Sequence, residues 1–120
     1  MFKAAYVFLG ATALVATHAS AQDVNAGEEV FGQCQACHSA DGTNGVGPSL
    51  KGVVGRKAAS APGFRYSHAM SAASLTWDAA TLDAFIADPQ KVVVGTTMPF
   101  AGLPDAGQRA SLIAYLRTLK

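Results

Sequence analysis

The chain has 120 residues, 50% of them hydrophobic and 14% charged, with nine Lys and Arg side chains against eight Asp and Glu. A chain of this length holds one small domain. Its net charge of +1 excludes the strongly basic field with which proteins attract nucleic acid, so nucleic acid is not an expected partner.

The first 21 residues have the order of a secretory signal peptide. Lys3 is positive, residues 4–16 are uncharged and mostly apolar, and a small-x-small cleavage site ends at Ala21. The apolar run is shorter than the about 20 residues that span a bilayer. We therefore expect residues 1–21 to be cleaved, and residues 22–120 to form one periplasmic domain with no stable membrane insertion.

The segment after this leader predicts a helix. Asp23 can cap its first turn, and Val24, Val30 and Phe31 recur near helical spacing. The helix runs directly toward both cysteines of the chain. The chemistry of these cysteines is therefore expected to begin where the helix ends.

Cys34, Cys37 and His38 form a C-x-x-C-H motif. A disulfide at this spacing closes too small a loop to stabilise the fold much. A thioredoxin-like dithiol needs a preceding strand, and a structural zinc site needs four ligands, for which no second cysteine pair exists. The motif is typical of covalent haem attachment, in which both thiols add to the porphyrin vinyl groups and His38 binds the iron.

Two further segments offer what a haem site requires. An axial histidine usually donates its second ring N–H to an acceptor. The carbonyl of Pro48, in GVGPSL, can accept it, although an ordinary Gly/Pro turn has the same composition. The candidates for the sixth ligand are His68, Met70 and Met98. We favour Met98, because it lies in the segment GTTMPF, which has no helical pattern and gives a methionine no obvious role in a core.

The middle of the chain has an irregular part and a helical part. Residues 39–77 show little periodicity, and so long a loop is unusual in a compact domain unless it wraps a large cofactor. A helix is predicted over residues 78–88, and Pro89 opens a short next helix capped by Asp88. The apolar face of the longer helix consists of Leu82, Phe85 and Ile86.

The C-terminal segment predicts the clearest helix. Asp105 can cap it, and Gln108 stands three residues further on, as in a capping box. Its apolar stripe consists of Leu112, Ile113, Leu116 and Leu119. The sequence shows neither a strand pattern nor an internal repeat.

Taken together, these segments resemble the class I c-type cytochromes, the family of mitochondrial cytochrome c and its small bacterial relatives. The similarity covers nearly all of residues 22–120. The matching segments are CQACH, GVGPSLKGVVGRKA, APGFRYS, LTW, DAFIADPQK, GTTMPFAG and LIAYL. The resemblance implies an all-α fold in which the N- and C-terminal helices cross and loops wrap one covalently bound haem c.

The resemblance also implies roles for single residues. Cys34 and Cys37 match the thioether positions, and His38 matches the proximal ligand of the iron. Pro48 matches the carbonyl partner of that histidine, and Met98 matches the sixth ligand.

Further matches surround the cofactor. Arg56, Tyr66 and Trp77 match residues around the haem propionates, where a permanent cation, a phenol and an indole can stabilise carboxylates. Gly27 and Phe31 match positions at which the N-terminal helix crosses the C-terminal one.

The chain also departs from the family pattern. Phe85 stands where mitochondrial-type members carry tyrosine, and Met70 where they carry asparagine, so a polar network beside the methionine ligand is expected to be missing. The family's ring of lysines around the haem edge is reduced as well. The lysines of residues 22–120 are Lys51, Lys57, Lys91 and Lys120.

The function implied by the resemblance is electron transfer. With His38 and Met98 bound, iron has no open position for a substrate, and this ligand pair raises the reduction potential. We expect a monomeric carrier that serves redox partner proteins. The alternatives are a peroxidase-like or gas-binding haem enzyme with an open sixth position, and a cytochrome subunit of a dehydrogenase or oxidase complex.

Overall fold

The computed structural model describes residues 23–120, together with the single residues Ala5, Gly10, Ala11 and Ala13. Apart from those four, the predicted signal peptide lies outside the described residues. The helices are α1 Val24–Phe31, α2 His68–Ala72, α3 Ala79–Ala87, α4 Pro89–Val92 and α5 Ala106–Leu116. Within residues 23–120, extended pairing is limited to one isolated antiparallel bridge between Lys57 and Thr76. No helix of the described residues has the length and apolarity needed to cross a membrane.

Each helix begins at a capping side chain. The caps, in chain order, are Asp23, Ser67, Asp78, Asp88 and Asp105. Each side chain accepts hydrogen bonds from backbone N–H groups of the first turn, which would otherwise lack partners. The caps predicted for α1, α4 and α5 are therefore confirmed, and Asp105 accepts from the Gln108 N–H at 2.7 Å.

α1 and α5 cross at Gly27. A Cβ at this position would contact the backbone carbonyl of Ser111 and lie 2.8 Å from the Tyr115 Cβ, so only glycine allows the two backbones to approach this closely. Phe31 is 1% exposed, and its ring centroid lies 5.2 Å from that of Tyr115. The predicted crossing is present, and it fixes the end of α1 against α5.

α3 completes the helical frame by packing against α5. The predicted apolar face of α3 is buried, and its Phe85 ring centroid lies 4.9 Å from that of Trp77. On α5, the first three residues of the predicted stripe are buried, whereas Leu119 is half-buried and lies beyond the end of the helix. These helices form a frame around a central cavity rather than a fully packed core.

One helix was not predicted. α2 occupies His68–Ala72, inside the part of the chain that shows little periodicity. A helix of five residues is too short to display a periodic pattern, and it is stabilised instead by its Ser67 cap and by its neighbours. Apart from α2 and the isolated bridge, residues 39–77 follow turns and loops.

Candidate functional site

A cavity of about 380 Å³ lies between the helices. Its volume is that of a ligand-binding site, and its walls are mainly apolar side chains contributed by α1, α2, α3, α5 and the connecting loops. All of the site residues predicted from the sequence line this one cavity. They are Cys34, Cys37, His38, Pro48, Arg56, Tyr66, Trp77 and Met98.

The two thiols reach the cavity from the turn that follows α1. The N–H groups of Cys37 and His38 both donate to the carbonyl of Cys34, at 3.1 and 2.9 Å. This turn continues the helical direction and brings the motif onto one wall. Both thiols are free and half-buried. Burial, together with the neighbouring Cys37, raises the pKa of the Cys34 thiol above its ordinary value, so Cys34 stays protonated at neutral pH.

The orientation of His38 is fixed by its second ring nitrogen. Nδ1 lies 2.7 Å from the carbonyl oxygen of Pro48. A carbonyl can only accept, so Nδ1 carries the proton and Nε2 keeps the lone pair that binds a metal. Gly47 lies against the ring, since a Cβ there would contact Cε1 and stand 2.7 Å from Nδ1. The histidine is therefore held in one orientation and in the tautomer that leaves Nε2 free to bind a metal.

Arg56 lines the cavity and carries an unsatisfied buried donor. Its Nη1 donates to the carbonyl of Lys51 at 2.9 Å, and its Nη2 donates to the carbonyl of Ser49 at 3.0 Å. Its Nε is buried without a hydrogen-bond partner, the one such side-chain atom in the described part of the chain. An unpaired buried donor is costly. A carboxylate, such as a propionate of haem, would satisfy it.

Tyr66 and Trp77 add two more polar groups to this wall. The Tyr66 hydroxyl accepts from the Ala61 N–H at 2.9 Å, which leaves its own hydrogen to donate. The backbone N–H of Trp77 donates to the backbone carbonyl of Arg56 at 2.8 Å, so these two residues belong to adjoining segments. The cavity as a whole fits a haem. It offers the His38 imidazole with a free lone pair, two thiols, apolar walls and an unpaired donor for a carboxylate.

The candidates for the sixth ligand are reduced from three to two. His68 is exposed at the start of α2 and does not line the cavity. Met70, on α2, and Met98, in the loop after α4, are both half-buried and both line it. The choice between these two sulfur atoms therefore depends on how each methionine is held.

Known proteins match most of the chain. The sequence model of the cytochrome c family matches residues 24–120. The chain belongs to the cytochrome c family. Cytochrome c2 of Rhodomicrobium vannielii is 48% identical over 120 residues, which cover 97% of this chain and 96% of that protein. The cytochrome c-type cyt cy of Rhodobacter capsulatus is 50% identical over 98 residues, and these cover 81% of this chain but only 49% of that longer protein.

A solved structure supports the same conclusion. Cytochrome cH from Methylobacterium extorquens superposes with a TM-score of 0.78 at 49% sequence identity, covering 80% of this chain and 98% of that one. The protein is thus a monohaem class I c-type cytochrome that binds one covalently attached haem c. It is an electron carrier, and the haem-enzyme alternative is not supported.

Two side-chain amides near the cavity were not singled out from the sequence. Asn44 donates to the carbonyl of Pro62 at 2.8 Å and accepts from the Ser49 N–H at 3.0 Å, so it joins two loops. Gln90 makes a similar pair of bonds in the loop before Met98. The sequence carries no signal for either role, because a polar side chain near glycines is equally typical of solvated surface.

Proposed function

We propose that this cytochrome carries single electrons in the periplasm, with haem attached through Cys34 and Cys37 and bound axially by His38 and Met98. One observation carries the proposal: a single cavity is lined by both thiols, by an imidazole with a free Nε2, and by the Met98 side chain. When bound, haem c supplies an iron that alternates between its ferric and ferrous states.

Residues around His38 orient its ring for binding to the iron. The Pro48 carbonyl accepts from Nδ1, which fixes the ring orientation and leaves the lone pair on Nε2. Gly47 leaves room for the imidazole, since any side chain there would displace the ring. The thiols of Cys34 and Cys37 attach the cofactor from the same turn, which keeps it beside the histidine after export.

Three polar side chains of the cavity lining, Arg56, Tyr66 and Trp77, are suited to the haem propionates. Arg56 Nε is buried and unpaired, and the Tyr66 hydroxyl has a hydrogen left to donate. The Trp77 indole lines the same wall. Charge-assisted hydrogen bonds to carboxylates are stronger than neutral ones, so we assign Arg56 the largest share in holding a propionate.

Met98 is the better candidate for the sixth ligand. Met70 belongs to α2, where its N–H donates to the Ser67 side chain. Met98 lies in irregular backbone between Thr97 and Pro99, where the chain can adapt to bring sulfur to iron. A soft thioether ligand favours the ferrous state and raises the potential.

Visible spectra of protein purified from periplasm test the axial ligands. The ferric wild type should show the weak band at the red end of the spectrum that is typical of an iron–methionine bond. Met98→Ala should abolish the band, allow carbon monoxide to bind, and lower the potential by a few hundred mV, within the about 0.8 V range that axial ligands control. Met70→Ala is the matched control and should keep the band. The opposite pattern would assign the ligand to Met70.

The leader and the domain boundary can be tested by mass. We propose that cleavage after Ala21 leaves residues 22–120 as one cytochrome c domain. The intact mass of the periplasmic protein should equal that of this segment plus one covalently bound haem. Full-length protein in the membrane fraction would contradict both the cleavage and the periplasmic location.

The proposal extends to the assembly state. An electron carrier requires redox partner proteins, and brief encounters with a donor and an acceptor suit a monomer. Light scattering on the purified holoprotein should give the mass of one chain across a wide concentration range. A concentration-independent dimer would overturn this part of the proposal without affecting the axial ligands.

A further inference from the structure

The side chain of Gln90 spans the loop that leads to Met98. Gln90 is the second residue of α4, and its Nε2 donates to the carbonyl of Thr96 at 2.8 Å. Its Oε1 accepts from the N–H of Gly95 at 3.2 Å. Both ends of one amide are therefore bonded to consecutive residues of the loop.

The bonded residues lie at the point where the loop turns toward Met98. The Val93 N–H closes α4 on Pro89 at 2.9 Å, and the Thr96 N–H then returns to the carbonyl of Val93 at 3.0 Å. Gly95 has a φ of +87°, a left-handed conformation that favours glycine. Glycine adopts this conformation without strain, but it remains free to leave it, so the bonds from Gln90 add a restraint that the turn itself does not supply.

Thr96 connects the amide to the methionine. Its carbonyl accepts from Gln90, and its hydroxyl accepts from the Met98 N–H at 3.4 Å. Thr96 is only 7% exposed, so a shift of its backbone would require repacking. A displacement at Thr96 is therefore expected to move the Met98 backbone.

Beyond Met98 the loop has few ties to the rest of the fold. The Phe100 N–H donates back to the Met98 carbonyl at 2.9 Å, which is a local bond. The next backbone bond to another element joins the Leu103 N–H to the carbonyl of Ile86 at 2.8 Å. Gln90 is thus the side chain that ties this loop to a helix on the N-terminal side of Met98.

We propose that Gln90 is a positioning residue for the axial methionine. Its amide holds the turn at Gly95 and Thr96, and by doing so it controls how readily the Met98 sulfur leaves the iron. The inference rests on the proposed function, in which Met98 is the sixth ligand. Each hydrogen bond that opens with the loop disfavours the open state by about 2- to 12-fold.

Imidazole binding to the ferric holoprotein at fixed pH measures this step. At saturating imidazole, the observed rate is limited by the departure of the methionine. Gln90→Ala should raise both this rate and the apparent affinity for imidazole by up to about 5- to 150-fold, because two hydrogen bonds no longer oppose opening. Gln90→Asn keeps the amide but is one methylene too short to reach both partners, so it should behave like Gln90→Ala.

Matched controls separate a specific role of Gln90 from a general loss of stability. Gln108→Ala removes an exposed glutamine side chain from α5 and should leave imidazole binding unchanged. The free energy of unfolding of Gln90→Ala, measured in urea, should fall by no more than this fold-change represents, because the same two bonds are lost on unfolding. A larger fall would assign the faster release to general destabilisation and overturn the proposal. Wild-type imidazole kinetics in Gln90→Ala or Gln90→Asn would overturn the proposal.

Met98→Ala identifies which inference fails. If Met98 is the ligand, this variant binds imidazole without a slow release step, and this result does not depend on the role of Gln90. If Met98→Ala retains the slow step, the ligand assignment is wrong. If it loses the step while Gln90→Ala matches the wild type, the ligand assignment stands and only the role of Gln90 is refuted.

Discussion

The turn around His38 and the loop around Met98 hold their side chains in different ways. The His38 ring itself is bonded, through Nδ1 to the Pro48 carbonyl at 2.7 Å, and it lies against Gly47. Met98 is located through its backbone, because a thioether is only a weak acceptor. A directional bond therefore fixes the histidine, whereas the methionine depends on its loop. Of the two proposed ligands, Met98 is the one that we expect to exchange.

The largest effect is expected when both cysteines beside His38 are replaced, because the haem then has no covalent attachment. In the double variant Cys34→Ala, Cys37→Ala, no thioether can form, and haem should pass completely into acidified acetone. The wild type should keep its haem with the precipitated protein under the same conditions. Extraction of haem from the wild type would contradict covalent attachment through these two cysteines.

A smaller change tests the close fit around His38. Gly47→Ala places a Cβ against the imidazole ring, so the ring or the loop must move. Overpacking of this kind costs about 1–3 kcal/mol, which urea unfolding of the holoprotein should detect. Gly45→Ala is the control, since its Cβ would stand 3.4 Å from the Cys37 carbonyl oxygen, where a small adjustment suffices. Equal destabilisation by the two variants would refute the special role of Gly47.

The reduction potential is expected to depend on the polarity of two side chains that line the cavity. Phe85 is buried, Met70 is half-buried, and both line the cavity beside apolar neighbours. Phe85→Tyr with Met70→Asn would offer donors to the ligand sulfur, withdraw electron density and favour ferrous iron. One such hydrogen bond corresponds to a rise of about 20–65 mV. Met70→Leu keeps the wall apolar and should leave the potential unchanged, and a fall in the double variant would contradict the argument.

The smallest expected effect concerns salt. The proposed cleavage removes Lys3 with the leader and would leave eight positive and eight negative side chains. The exposed residues that line the cavity are uncharged, namely Gln33, Val46, Thr97 and Pro99. Reduction of the cytochrome by membranes of the producing cells should therefore change less than about 3-fold between low and high salt. Thr97→Lys should steepen the dependence, and a steep dependence in the wild type would contradict this expectation.

The parts predicted from the sequence are those with local causes. Asp23 and Asp105 cap helices because a carboxylate one residue before a helix satisfies its free N–H groups. The C-x-x-C-H motif predicted the cofactor because its chemistry is contained in five adjacent residues. The close contact of α1 with α5 was predicted by family resemblance, and the space at Gly27 explains it.

Other features of the structure have no local signal in the sequence. α2 was not predicted because five residues show no period. The bonds of Asn44 and Gln90 depend on how loops approach one another, which no local pattern encodes. The choice between Met70 and Met98 likewise stayed open after the cavity was known, since both sulfur-bearing side chains line its wall.

The crossing at Gly27 also has a consequence for the order of assembly. It joins the first and last helices of the described chain, α1 and α5, so it is a contact of high sequence separation. α1 therefore cannot bury this face until α5 has been made and has folded. Until then, the turn that carries Cys34 and Cys37 is not held against α5. We expect haem to reach the two thiols most easily during this interval.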